Sequence, residues 1–437
     1  MTDYTDQPDI MAIGDSMYQG IRSLSFIPAI VANSGPAQVA RAIGMRMTVP
    51  DLQVPLLFDL EAELRKGGLV NLVEHIRTVA LQNLVHWPLD RLWSQHQAFD
   101  NISIGGAEIA DLLTATSAAF SAKIPGLIAT LNAHPPSVAE LAATIGNLWY
   151  GMNNCYMLNP QHRSQQDTKA PIDQVEDRQP QILLINIGSN EGLFKAGFTG
   201  DFSDATMQSV AAIPGKLRPL ADRLARLPAR TEKIVFNSLI KPRFIPNLMP
   251  GDEFFNQFPG DGYFQTYGPR ISSTQQTISG DQLRAFDALI ARVNGEAADI
   301  LRSAVGDRIV FADVYGACPP LDGKHYQGRG LAIPRHNRTL NNLPLAPSPF
   351  GSIGGLAGLD NMHPTVPGYA AIADTVLDAL GRRDIRTDKQ AAFAADTLLA
   401  DVSLAFVISG AELSLIGIFG AFRSSAPGLA PAPAAMV

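Results

Sequence analysis

Ile10-Met11-Ala12-Ile13-Gly14-Asp15-Ser16 is the stretch whose reading decides the fold. Four apolar residues in a row suit a short strand buried on both faces. They pass directly into Gly-Asp-Ser, where glycine admits a tight turn and the serine is left at the strand's carboxyl end. In open α/β sheets that end is where ligands bind. A hydroxyl there either caps the next helix or acts as a nucleophile. Taken alone the stretch favours the cap; the rest of the chain reverses that.

Similar apolar runs recur further along. Asn101-Ile102-Ser103-Ile104 ends at Gly105-Gly106, Gln181 to Ile187 is almost without alternation, and Lys233 to Leu239 and Arg308 to Val314 follow. Helical patterns separate them: Leu60 to Leu84 with a break at Gly67-Gly68, Glu108 to Phe120, Ser137 to Trp149, Ala211 to Leu227 and Thr365 to Leu380. Ser137 with Glu140, and Ser279 with Gln282, have capping-box spacing. The second pair opens a long helix with Leu283, Phe286, Ile290, Val293, Ala297 and Ile300 on one face. Five strands alternating with helices predict a parallel sheet covered on both faces. Met152 to Pro180 is polar and reads as a long excursion. Lys324 to Gly355 is basic and rich in Pro and Gly, and reads as a solvated loop carrying His325 and His336.

A chain of 437 residues accommodates one α/β domain with large insertions. Charged residues are only 17% of it, which leaves apolar surface for a lipid, a partner or a greasy substrate. A net charge of −7 offers no electrostatic footprint for nucleic acid. Cys155 and Cys318 are too few for a disulfide framework, and two reduced thiols are the plainer reading. The polar, acidic start from Met1 to Asp9 is no secretory signal, so a cytoplasmic location is expected. Val402 to Phe422 is apolar apart from Glu412 and small polar residues, long enough to span a bilayer. A helix packed on its own domain or a subunit, an interfacial membrane helix and a true anchor stay open there.

Three clusters bear on Ser16. In Asp360-Asn361-Met362-His363-Pro364 the carboxylate can hold one imidazole nitrogen while the other faces outward, which is what a serine nucleophile needs. Gly188-Ser189-Asn190-Glu191 follows the strongest strand; the Asn190 amide either aims a donor at an oxyanion or forms a turn. Gly106 either brings a bare backbone N–H to the same oxygen or makes a tight turn.

In the order Ser, Gly, Asn, Asp-x-x-His, these pieces resemble the SGNH (GDSL-type) hydrolase superfamily. The matching blocks are Gly14-Asp15-Ser16, Asn101-x-Ser103-Ile104-x-Gly106, Gly188-Ser189-Asn190 and Asp360-Asn361-Met362-His363-Pro364, with Gly368-Tyr369 after the last. The resemblance spans roughly residues 9 to 382 and departs from the family pattern at Met17-Tyr18 and at Glu191. It implies a three-layer α/β/α, flavodoxin-like fold with a five-stranded parallel sheet. It also implies hydrolysis of carboxylic esters with neither metal nor organic cofactor. Ser16 would be the nucleophile, His363 the base and Asp360 its orienting partner. The oxyanion hole would be the Ser16 and Gly106 N–H groups with the Asn190 side chain.

The expected organisation is a hydrolase domain over 1–385, with insertions near 41–95 and 110–180 and a long loop near 321–357. A C-terminal apolar helix and a Pro/Ala-rich tail would fill 386–437. The expected partner is a small-molecule or lipid ester, with membrane or subunit contact through 402–422 left open. The basic loop hints at a carboxylated or phosphorylated substrate group, the low charge content at acyl chains. An acyltransferase, a thioesterase and a catalytically idle binding module are the alternatives.

Overall fold

The computed structural model describes residues 6–67, 71–133, 137–251, 262–270, 276–316, 319–322, 324, 330–343, 345 and 354–399. Strands β1 (Ile10–Gly14), β2 (Ile182–Asn186), β3 (Lys233–Asn237) and β4 (Ile309–Ala312) form one parallel sheet in that order. Ile13, Ile185, Phe236 and Phe311 stand in register across it. Met11, Ile13, Leu183, Ile185, Ile234 and Phe236 enter a large core on one face. Ile10, Ala12, Leu184 and Val235 enter a second core on the other. Burial on both sides is why these strands read as unbroken apolar runs.

Seven helices carry the argument: α1 (Ser16–Gln19), α2 (Gly35–Ala42), α3 (Val138–Leu158), α4 (Pro171–Arg178), α5 (Arg218–Ala225), α6 (Gly280–Val305) and α7 (Val366–Ala379). Val39 and Ala40 of α2, with Ala373, Val376 and Leu377 of α7, cover one face of the sheet. Ile172 of α4, Leu220 of α5 and Leu283 and Ile290 of α6 belong to the core of the other. The capping box that opens α6 is formed in full: Ser279 N donates to Gln282 Oε1 at 2.8 Å and Gln282 N to Ser279 Oγ at 3.1 Å. Each buried Leu or Ile on such a face contributes about 1.5–3 kcal/mol.

The sheet has four strands where the sequence predicts five. Asn101 to Ile104 does run beside β1: Ala12 N donates to Asp100 O at 2.8 Å, Ile102 N to Ala12 O at 2.9 Å and Ile104 N to Gly14 O at 2.9 Å. It makes a single bridge, Asn101 to Ala12, and no strand. Side chains tie the stretch down as well. Ser103 N donates to Asn101 Oδ1 at 3.3 Å, Asn101 Nδ2 to Tyr18 O at 2.7 Å and Gly105 N to Asn154 Oδ1 at 2.8 Å.

Two loop expectations are also corrected. The stretch from Met152 to Pro180 is helical over 152–158 and 171–178, because α3 continues to Leu158 and α4 follows. Its asparagines are spent inside the protein, Asn153 on Gln19 and Asn154 on Gly105. The basic loop is not simply solvated either. Lys324 is fully buried, donating to Leu248 O at 2.8 Å and to Ile245 O. Leu331–Ile333 and Arg338–Leu340 pair as a hairpin, and His336 meets Phe393 with ring centroids 4.5 Å apart and planes tilted by 36°. His325 lies outside the described residues. Glu108 to Phe120 breaks into Asp111–Thr114 and Ser117–Ser121, where Thr116 caps the second piece.

The localisation expected from the sequence, a cytoplasmic chain with an apolar helix for membrane contact, is corrected as well. Among the described residues no helix is long and apolar enough to cross a membrane. Helix α3 is buried from Leu148 to Leu158 within the protein core. Residues 402–422 lie outside the described residues, as does Cys318; Cys155 is buried beside the Ser117 hydroxyl at 3.3 Å.

Candidate active site

Gly14 ends β1 so close to its neighbour that a Cβ there would lie 2.1 Å from Asn186 O, and its φ is +154°. Only glycine fits, and the chain turns at once into α1. Asp15 caps that helix, its Oδ1 accepting from Met17 N at 3.0 Å. Ser16 therefore sits at the carboxyl end of an edge of the sheet, 7% exposed.

The turn from Gly358 to Thr365 delivers the imidazole. His363 Nδ1 lies 2.7 Å from Asp360 Oδ2, and Asp360 Oδ1 accepts from Met362 N at 3.0 Å and His363 N at 2.9 Å. Burial alone would raise the Asp360 carboxyl. The adjacent imidazole and these hydrogen bonds outweigh it and hold the carboxyl below its ordinary value.

A buried ion cluster fixes the turn to the rest of the protein. Arg22 binds Glu61 through Nε at 2.8 Å and Nη2 at 2.7 Å, and Asp396 through Nη1 at 2.6 Å. Asp396 Oδ2 also takes Val366 N at 2.7 Å. Ser23 Oγ donates to Glu61 at 2.6 Å and accepts from Leu359 N at 2.9 Å. Removing one member would strand a charge in the interior, which typically costs about 3–5 kcal/mol.

Ser16, Asn190 and His363 line one open cavity of about 680 Å³, counting its mouth. Its polar edge also holds Asn186, Ser189 and Ser238. Asp360 stands behind His363, as its hydrogen bond requires. The Ser16 hydroxyl and His363 make no hydrogen bond to each other in this state, leaving Nε2 and Oγ both uncommitted among the described residues.

Asn190 donates one amide proton to Ala107 O at 2.8 Å, which leaves the other available. Gly106 does not line the cavity, although the carbonyl that anchors Asn190 belongs to the next residue. Among the described groups neither Ser16 N–H nor Gly106 N–H has a hydrogen-bond acceptor. Glu191, where the family pattern differs, is buried and ties these two turns together. Its Oε1 accepts from Ile109 N at 3.0 Å, and its other oxygen meets Lys216.

A polar chain missed in the sequence runs beneath the site. Tyr18 donates to Asn237 Oδ1 at 2.9 Å, Asn237 to Asn186 Oδ1 at 3.0 Å and Asn186 to Asp15 Oδ1 at 2.8 Å. It links the carboxyl ends of β1, β2 and β3. The signal was an asparagine closing each of two adjacent apolar strands, at Asn186 and Asn237.

Asp15 itself is fully buried, and among the described residues its Oδ2 has no hydrogen-bond partner. Burial pushes its carboxyl up from 3.8 to about 6, against its hydrogen bonds from Met17 and Asn186. Between those values the folded protein keeps a proton the unfolded chain has lost, so stability falls as pH rises through that window. Asp15→Asn keeps a good cap and the shape. Its stability relative to wild type should therefore grow from about pH 4 to about pH 7, by about 3 kcal/mol at most. Denaturation midpoints with the same pH dependence in both proteins would contradict this.

Among the described residues no group of three or more His, Cys, Asp or Glu side chains is placed to hold a metal ion. No family model, curated protein or solved structure matches this chain.

Proposed function

We propose that this chain is a serine carboxylic-ester hydrolase of the SGNH type, working through an acyl-enzyme. One observation carries the reading. Ser16, Asn190 and His363, far apart in sequence, line one cavity, with Asp360 on the far nitrogen of the imidazole at 2.7 Å. In this reading Asn101 to Ile104 serves as an edge strand beside β1. The chain order across the sheet is then second, first, third, fourth, fifth, as in a flavodoxin-like, three-layer fold.

As substrate enters, the Ser16 hydroxyl reaches Nε2 of His363, a bond that ligand-free sites often leave long. Oγ attacks the ester carbonyl carbon and its proton passes to Nε2. The oxyanion accepts from Ser16 N–H and Asn190 Nδ2, each such donor contributing on the order of 3 kcal/mol to the transition state. The tetrahedral centre collapses, and the leaving alkoxide takes the proton from Nε2. Water then attacks the acyl-enzyme by the same route and frees the acid. Asp360 stays ionised throughout, holding the imidazole tautomer and balancing its transient charge.

The test is release of the phenol from a short-chain aryl ester by the purified protein, with glycerol added in rising amounts. Free acid should remain the main product in dilute glycerol. Acyl glycerol exceeding free acid there would make the chain a transferase, and no release on any aryl ester would overturn the reading.

A further inference from the structure

The esterase reading leaves the substrate open, and the walls of the cavity narrow it. Among the described lining residues His363 is the only ionisable side chain. Beyond the polar edge the walls are Leu193, Phe194, Leu239, Ile240, Ile245 and Val314. Among these residues a carboxylated or phosphorylated group finds no counter-charge, and an aliphatic chain finds apolar contact.

One wall is held more firmly than a loop of this kind needs. Ile245 and Pro246 line the cavity, yet Ile245 is only 2% exposed. Every residue around them is tied from a different element. Phe244 O accepts from Asn342 Nδ2 at 2.7 Å; Ile245 O and Leu248 O both accept from the buried Lys324. Asn247 Nδ2 donates to Phe198 O at 2.9 Å and Gly197 O at 3.2 Å. The Ile245 side chain packs on Gly197, where a Cβ would lie 2.5 Å from its Cδ1. Burial holds the Lys324 amine down to about 7, and it spends its protons on carbonyls.

Resting on the esterase reading, we infer that Ile245 is the specificity-determining residue of an acyl site, a fixed wall that ranks unbranched aliphatic acyl chains by length. Met17 and Met362 line the cavity beside the serine and the histidine, and bulk at 245 sets how much chain fits beyond them. Each methylene that gains full burial raises kcat/KM by about fourfold. Once the chain meets the immobile wall, further methylenes lower it.

The experiment is the ratio of kcat/KM for aryl octanoate to aryl acetate, and for dodecanoate to octanoate, in wild type, Ile245→Phe and Ile245→Val. Ile245→Phe should cut the octanoate-to-acetate ratio by about tenfold or more, since several methylenes lose their place. Ile245→Val removes one methyl group, keeps the fold and should raise the dodecanoate-to-octanoate ratio by about threefold. Ratios within twofold of wild type in both variants would overturn the inference. If Ile245→Phe does not fold, Ile245→Val decides alone. Modification of Ser16 by a fluorophosphonate, run in parallel, keeps the two levels apart. Unchanged ratios with Ser16 still modified reject the acyl wall only, whereas an unreactive Ser16 with no ester turnover rejects the esterase reading and the acyl wall with it.

Discussion

Ser16→Ala should lower turnover of a short-chain aryl ester by about 10³-fold or more, while its denaturation midpoint stays close to wild type. The two halves of that result have separate causes. The proposed reaction begins with a bond from Ser16 Oγ to carbon, and Ser16 lines the same cavity as His363, whose imidazole is held from behind at 2.7 Å. In the folded state, however, the hydroxyl has no hydrogen-bond partner among the described residues, so alanine leaves no buried donor or acceptor stranded. Loss of activity without loss of stability marks a chemical role. A variant retaining a tenth of wild-type turnover would contradict it, as would one that loses activity only by unfolding.

Asp360→Asn should cost on the order of 10³ to 10⁴ in kcat, and for a reason visible in its hydrogen bonds. Asp360 accepts three times at close range, from Met362 N, His363 N and His363 Nδ1. An asparagine oxygen can serve the two backbone donors, which leaves its NH₂ facing Nδ1. The imidazole must then carry its proton on Nε2, where it can no longer accept one from Ser16. Because the carboxyl is held below its ordinary value in the folded state, its contribution to stability is present above the unfolded value. That contribution is lost as pH falls through the folded value. The variant should therefore lose stability relative to wild type near neutrality and much less in acid. Kinetics with full activity would show that the imidazole is oriented by some other group.

The parts of this molecule that were legible in the sequence are those whose cause is local. An unbroken apolar run means burial on both faces, and β1 to β4 follow from it. A serine at the right offset caps a helix, as Ser137 and Ser279 do. Asp360 and His363 share one turn, so their pairing needed no knowledge of the fold.

What escaped notice has partners far along the chain. Tyr18 meets Asn237 across 219 positions and Arg22 meets Asp396 across 374. A polar residue taken by itself reads as exposed, and this misplaced Lys324, Asn153 and Asn154, each buried because its partner is brought by another element. The apolar pattern at Ile102 and Ile104 is real and their N–H groups do bond to β1, yet the stretch makes one bridge and no strand. The wall formed by Leu239, Ile240 and Ile245 carries no motif at all, since an apolar side chain looks the same in a core and beside a cavity.

The central claim is that Ser16 is an activated nucleophile facing His363. The most direct measurement is to treat the folded protein with a fluorophosphonate and locate the adduct by peptide mass spectrometry. The account predicts one adduct per chain, on Ser16, absent from Ser16→Ala and much slower to form in His363→Ala. A folded protein that stays unmodified, or an adduct on any other residue, would contradict it.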